Sequence, residues 1–276
     1  MSQPSKRTSM ALAYLTVVSA LFQAALAASW SDTFTSYNSN LWSQSSDIEH
    51  CSDGACFEAR PDHLLYGASG LTTVMDQHPC NETKAGCCIG GKCASYAAGH
   101  LRSADSYTYG HWSVVARIAH APAGGPTPSN AFTCFGSYVA APAHNEISMC
   151  WEGTSQSTLG AAYWYSNAEH KTDIDLGFDA SQDFHTYEVD WSPTTIVWSV
   201  DGKALHTDNG KAKSTIPWEA MEFAIITRPR SQPYEGDAES QFKLFNFTST
   251  YSGPRAAEAA RGRGRVGASR LRAKRL

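Results

Sequence analysis

In the run HNEISMCWEG, residues 144–153, every second residue from His144 to Glu152 carries a group able to do chemistry: His144, Glu146, Ser148, Cys150 and Glu152. An extended chain turns successive side chains to opposite faces, so these five share one face. Ile147, Met149 and Trp151 share the other. Two carboxyls, an imidazole, a hydroxyl and a thiol supply candidates for a nucleophile, a base and hydrogen-bond donors. Spacing limits what they can do together. Glu146 and Glu152 stand six residues apart, roughly 20 Å at about 3.3 Å per residue, which is too far for both to act on one bond.

The elements around this run read as all β. Short β-branched and aromatic stretches, broken by Gly, Pro, Asn and Asp, recur between residues 30 and 250: GLTTVMDQ, HWSVVARIAHA, NAFTCFGSYVAA, NEISMCWEG, GAAYWYSN, FHTYEVDW, TIVWSVDG and FKLFNFTSTY. TIVWSVDGKALHT has the signature of a hairpin turning at Asp201-Gly202. IPWEAMEFAI fits a short helix or a strand. Many short strands without helical periodicity imply one sandwich or jelly-roll domain. With NAFTCFGSYVAA and NEISMCWEG as consecutive antiparallel strands turning near Ala141 to Ala143, Cys134 falls opposite Cys150. A cross-strand pair is close enough for a disulfide after modest adjustment.

The N-terminus has the pattern of a secretory signal at residues 1–27: Lys6 and Arg7, an apolar run, then the small residues of Ala25-Leu26-Ala27. The folded domain is then expected over 28–254. No membrane span is expected. An exported chain makes eight cysteines readable as disulfides. A Cys134–Cys150 bond leaves Cys51, Cys56, Cys80, Cys87, Cys88 and Cys93 for three more, with 80–93 as a stapled loop of open connectivity. No metal or cofactor is expected, since no His lies within the cysteine cluster. Asn81 and Asn246 head N-x-S/T glycosylation triplets. The chain has a formal net charge of −4, yet its tail, residues 255–276, holds eight Lys or Arg against one Glu. The body is therefore strongly acidic, which argues against nucleic acid as its partner. The tail reads as solvated and disordered, with polyanions as its natural contacts.

Three segments, in order, carry a resemblance. SYAAGHLRSADSYTYGHWSVVARIAHAPAGG, DFHTYEVDWSPTTIVWSVDGKAL and FKLFNFTSTY resemble the outer strand, the paired strands and the closing strand of glycoside hydrolase family 16. The match is most specific over 184–205, through Phe184, His185, Tyr187, Asp190, Trp191, Trp198 and Asp201-Gly202. By pattern the nearest relatives are the fungal cell-wall chitin–glucan transglycosylases. The resemblance implies a concanavalin-like β-jelly roll with a concave cleft for β-linked polysaccharide. It also implies a catalytic strand of pattern E-x-D-x-E, which falls here on Glu146, Ser148 and Cys150. Glu146 takes the nucleophile position, Ser148 replaces the orienting Asp, and Cys150 replaces the acid/base Glu.

Retaining hydrolysis needs two carboxyl groups about 5–5.5 Å apart across the scissile bond. A free thiol with a pKa near 8.5 protonates a glycosidic oxygen badly, and a disulfide cannot do so. The expectation is a secreted or cell-wall, monomeric protein that recognises β-glucan or chitin with impaired or lost hydrolysis. The alternative is an active glycosidase or transglycosylase with Glu146 as nucleophile and Glu152, His144 or another group as proton donor. Candidate sugar contacts are His144, Trp112, Trp151, Tyr163, Trp164, Tyr165 and Arg228, the aromatics because sugar faces pack well on rings. Arg228 and Arg230 stand where such relatives place an aromatic-and-glycine segment. Sequence does not decide whether they face the cleft.

Overall fold

The computed structural model describes residues 29–49, 56–77, 88–89, 92–120, 131–140, 142–152, 155–210, 215–229 and 237–249. The signal segment, the basic tail, Asn81, Cys51, Cys80, Cys87 and Arg230 lie outside the described residues, as do the side chains of Cys88 and Cys93. What is described is built almost wholly of strands, in two large sheets.

One sheet has seven strands. From edge to edge they are Ala168–Asp175, Thr158–Tyr165, Asn145–Glu152, Ala131–Val139, Met221–Pro229, His100–Tyr107 and Trp42–Gln44. The other has eleven. Its path runs from the hairpin Lys203–Asp208 and Ile196–Val200 through His185–Trp191, Gly110–His120 and Ala238–Thr248 to Gly70–Gln77 and beyond. IPWEAMEFAI resolves into a loop followed by the strand from Met221. Strand Ala168–Asp175, AEHKTDID, carries no apolar alternation and sits at the edge of the sheet, paired among the described residues on one long side alone.

The core lies between the sheets and is aromatic. Trp112, Trp151, Trp198, Phe135, Tyr187 and Phe242 are among its fully buried members. Trp151 packs against Phe135 and Tyr187, with ring centroids 5.5 and 4.8 Å away. Three proposed sugar contacts are corrected here. Trp112, Trp151 and Tyr163 are 0%, 1% and 2% exposed, all in the core. Trp151 and Tyr163 share the inward face with Ile147 and Met149, and Trp112 faces the same core from the eleven-stranded sheet, so alternation leaves them no route to solvent. Tyr165 shares that face with Tyr163 and packs, partly buried, against the core.

Polar groups also cross this interior. The Thr73 and Thr227 hydroxyls are 2.7 Å apart, and those of Thr133 and Ser240 2.8 Å apart. The four residues are fully buried and tie central strands of both sheets together. Buried hydroxyls need such partners, because an unpaired one costs about 1–3 kcal/mol.

Two turns need left-handed backbone. Asp201 and Gly202 have φ of 50° and 74°, and Ser166 and Asn167 have 50° and 69°. Positive φ at both central residues marks the tight two-residue turns whose twist matches the flanking strands.

Candidate functional site

The strand Asn145–Glu152 pairs with Ala131–Val139 on one side and Thr158–Tyr165 on the other, so its register is held from both edges. His144, Glu146, Ser148, Cys150 and Glu152 all open onto the outer face of the seven-stranded sheet, where two adjoining cavities of about 410 and 310 Å³ form a trough. Phe132, His144, Glu146, Ser148 and Arg228 line both cavities, placing Glu146 at their junction. Gly136 lies opposite Ser148. A Cβ there would stand 2.2 Å from the Ile147 carbonyl oxygen, so only glycine lets the two strands run this close.

Glu146 is oriented by its own strand. The Ser148 hydroxyl donates to Oε1, and His144 Nε2 lies 2.9 Å from Oε2. The Glu146 side chain is 22% exposed, reachable from the trough but shielded from bulk water. His144 is itself fixed. Its backbone N–H donates to Asn167 Oδ1 at 3.0 Å, the Asn167 N–H donates back to the His144 carbonyl at 3.1 Å, and Trp164 meets its ring edge-on at 5.1 Å. The left-handed Ser166-Asn167 turn therefore fixes the His144 backbone.

Cys150 is bonded to Cys134 across the cleft floor, directly opposite in register. Cys56 is also disulfide-bonded, and no cysteine is free among the described residues. The sulfurs of Cys134 and Cys150 and a Glu146 carboxylate oxygen lie within 4.8 Å of one another. Glu152 faces the same trough from its far end and pairs with Lys171 Nζ at 3.2 Å. Six strand positions separate it from Glu146.

Trp164 and Arg228 line the trough. The Arg228 guanidinium lies over the Phe132 ring, 4.4 Å from its centroid, and Nη1 donates to the Pro229 carbonyl at 3.0 Å. Sequence reasoning missed Phe132, Arg102 and Tyr138. Phe132 was within reach, being two residues before Cys134 on the same face. Arg102 comes from the strand on the far side of Met221–Pro229, a neighbour no local pattern reveals. There its Nη1 lies 3.4 Å from the Tyr138 hydroxyl.

The family model for glycosyl hydrolases family 16 matches residues 56–242. The chain belongs to this family. It is 28% identical over 204 residues to the beta-glucanase of Bacillus subtilis (strain 168), covering 73% of this chain and 76% of that protein. It is 31% identical over 182 residues to the beta-glucanase of Bacillus amyloliquefaciens, covering 65% and 68%. Among solved structures, the Bacillus licheniformis beta-glucanase superposes with a TM-score of 0.65 at 19% identity, over 80% of this chain and 98% of that one. The apo Crh5 transglycosylase gives 0.57 at 13% identity, over 81% and 85%. At such identities these two structures speak to the fold alone. Among the described residues no helix is long and apolar enough to cross a membrane. The Cys134–Cys150 cystine lies in the floor of this trough.

Proposed function

We propose that this chain is an exported protein that recognises β-glucan or chitin through a family 16 cleft in which hydrolysis has been lost. The observation that carries the reading is the Cys134–Cys150 bond. The position expected to hold the acid/base carboxyl bears a sulfur with no proton to give. Losing general acid/base catalysis alone costs on the order of 10²–10⁴ in rate. Two other carboxyls line the described trough, Glu152 and Glu169. Glu169 stands two strands from Glu146 with Trp164 between them, roughly 10 Å away at about 4.8 Å per strand, which is beyond the spacing of a retaining pair. Glu152 is paired with Lys171, and His144 is bound to the same carboxylate it would have to oppose across the scissile bond. Recognition needs less: a trough, a ring for a sugar face and fixed polar groups. Trp164, Glu146, His144 and Arg228 supply these. Export rests on the 1–27 segment, and the basic 255–276 tail is assigned to polyanionic contacts.

The second reading, turnover with Glu146 as nucleophile, is favoured by one feature: His144 and Ser148 hold that carboxylate in a single orientation. Reducing-end release and transglycosylation on β-glucans and chitin oligosaccharides, run beside pull-down on the same polymers, separate the two. Wild-type protein is expected to bind without turnover. Trp164→Ala should weaken binding about fivefold, for a stacking loss of about 1 kcal/mol. Cys134→Ala/Cys150→Glu should gain activity. Wild-type turnover that vanishes in Glu146→Gln would overturn the proposal.

A further inference from the structure

We propose that reduction of the Cys134–Cys150 bond turns the cleft floor into a binding site for a thiophilic divalent cation, such as Zn²⁺ or Cd²⁺, held by both thiolates and Glu146. Three observations meet at this point. The two sulfurs and a Glu146 oxygen lie within 4.8 Å of one another, inside the span of one coordination sphere after small side-chain rotations. Zinc takes sulfur at about 2.3 Å and carboxylate oxygen at about 2.0–2.2 Å, so ligand atoms on one ion stand roughly 3–4 Å apart.

The sheet keeps the sulfurs together once their bond is gone. Cys134 and Cys150 have Cα atoms 4.2 Å apart in the middle of an eight-pair ladder running from Phe132↔Glu152 to Val139↔Asn145. Each strand is also paired on its outer side, Cys134 with Ile226 and Cys150 with Gly160. Breaking the bond removes a crosslink and leaves the register, so the thiols stay adjacent and the site needs little ordering on binding.

The third ligand is already aimed. Ser148 bonds one Glu146 oxygen and His144 the other, the kind of outer-shell support that fixes a coordinating carboxylate. Both cavities of the trough reach this point, Cys150 lining one and Cys134 the other, so a small reductant and an ion have an entry path.

The steps balance. A dithiol reductant delivers two electrons and two protons. The protein S–S bond breaks, two thiols form, and the reductant closes to its own disulfide. Cation binding then forms two metal–sulfur bonds and releases the two thiol protons to solvent.

The test uses full-length secreted protein, reduced with dithiothreitol, desalted without oxygen and titrated with Cd²⁺. Binding is followed by thiolate-to-metal charge-transfer absorption, and metal equivalents by native mass spectrometry. Reduced wild type should bind one equivalent more than reduced Cys134→Ser/Cys150→Ser, which isolates this pair from the other cysteines. Glu146→Gln retains both thiols and should hold that extra equivalent at least about tenfold more weakly. Equal stoichiometry in wild type and the double serine variant would overturn the proposal. If reduced double-serine protein is unfolded by circular dichroism, Glu146→Gln alone decides. An affinity equal to wild type there would overturn carboxylate ligation and the site with it.

Discussion

The hairpin region around 184–208 and the cleft strand 144–152 each carry a stretch of family 16 pattern, and they have kept different things. In the first, the matching residues work within the structure. Tyr187, Trp191 and Trp198 are buried, and Trp191 Nε1 donates to the Pro217 carbonyl at 3.0 Å. Asp201 closes the turn by accepting from the Thr186 N–H at 2.9 Å and lying 2.7 Å from His185 Nδ1. In the second, the strand geometry is regular and Glu146 is a carboxyl, while on the proposed reading Ser148 and a cystine stand where the family pattern has carboxyls. The hairpin even supports the cleft strand, since Trp198 Nε1 donates to the Ser148 carbonyl at 3.2 Å. Likeness carried by packing residues therefore reports the fold, and the chemistry must be read from the cleft itself.

The contrast predicts where substitutions will hurt. Trp198→Ala should cost about 3–5 kcal/mol in urea unfolding, because it removes a fully buried ring together with its bond to the cleft strand. A loss under about 1 kcal/mol would mean the hairpin does not support the site. Cys134→Ser/Cys150→Ser should cost somewhat less, about 3 kcal/mol for a loop of 16 residues. Bound polysaccharide should protect wild type and this variant by similar increments in thermal unfolding. Unequal protection would show that the cystine shapes the cleft and is more than a crosslink.

The smallest effect lies in the hairpin turn. Burial pushes the Asp201 carboxyl up, but the His185 contact and the Thr186 N–H outweigh it and hold the group below its ordinary 3.8. A carboxyl depressed on folding adds stability that is complete above pH 3.8 and is lost as pH falls through its lower folded value. Asp201→Asn should therefore flatten the acid limb of the stability curve below about pH 4, leaving cleft binding at neutral pH unchanged. An unaltered acid limb would remove Asp201 from the group that ties the turn.

Much of the fold was legible because its signals are local. The stretch GLTTVMDQ is the strand Gly70–Gln77, and FHTYEVDW contains His185–Trp191. The Asp201-Gly202 turn was evident from two residues and the alternation around them. AEHKTDID was missed as a strand because an exposed edge needs no apolar face, and Lys171 and Glu169 of the trough were missed with it. The site was half legible. Alternation placed His144, Glu146, Ser148, Cys150 and Glu152 together. The same rule set Trp151 beside Ile147 and Met149, yet its size and polar edge still made it a sugar-contact candidate. Trp112 shares its face with Val114, Ala116 and Ile118, against His111, Ser113 and Arg117 on the other, so the alternation that points it into the core was in the sequence and was overridden by the aromatic ring.

By itself the sequence determined strand periodicity, the turn chemistry, the shared face of the 144–152 residues and the family, since each rests on neighbours a few positions apart or on a linear pattern. The tertiary structure alone decided which of those faces meets the second sheet and which opens to the trough. It brought Arg102 and Arg228 to the wall of the cavity that Glu146 also lines and carried Glu152 into a pair with Lys171. Strand order across a sheet is chosen by the packing of distant segments against a common core, and a side chain acquires its partners only when that order is set.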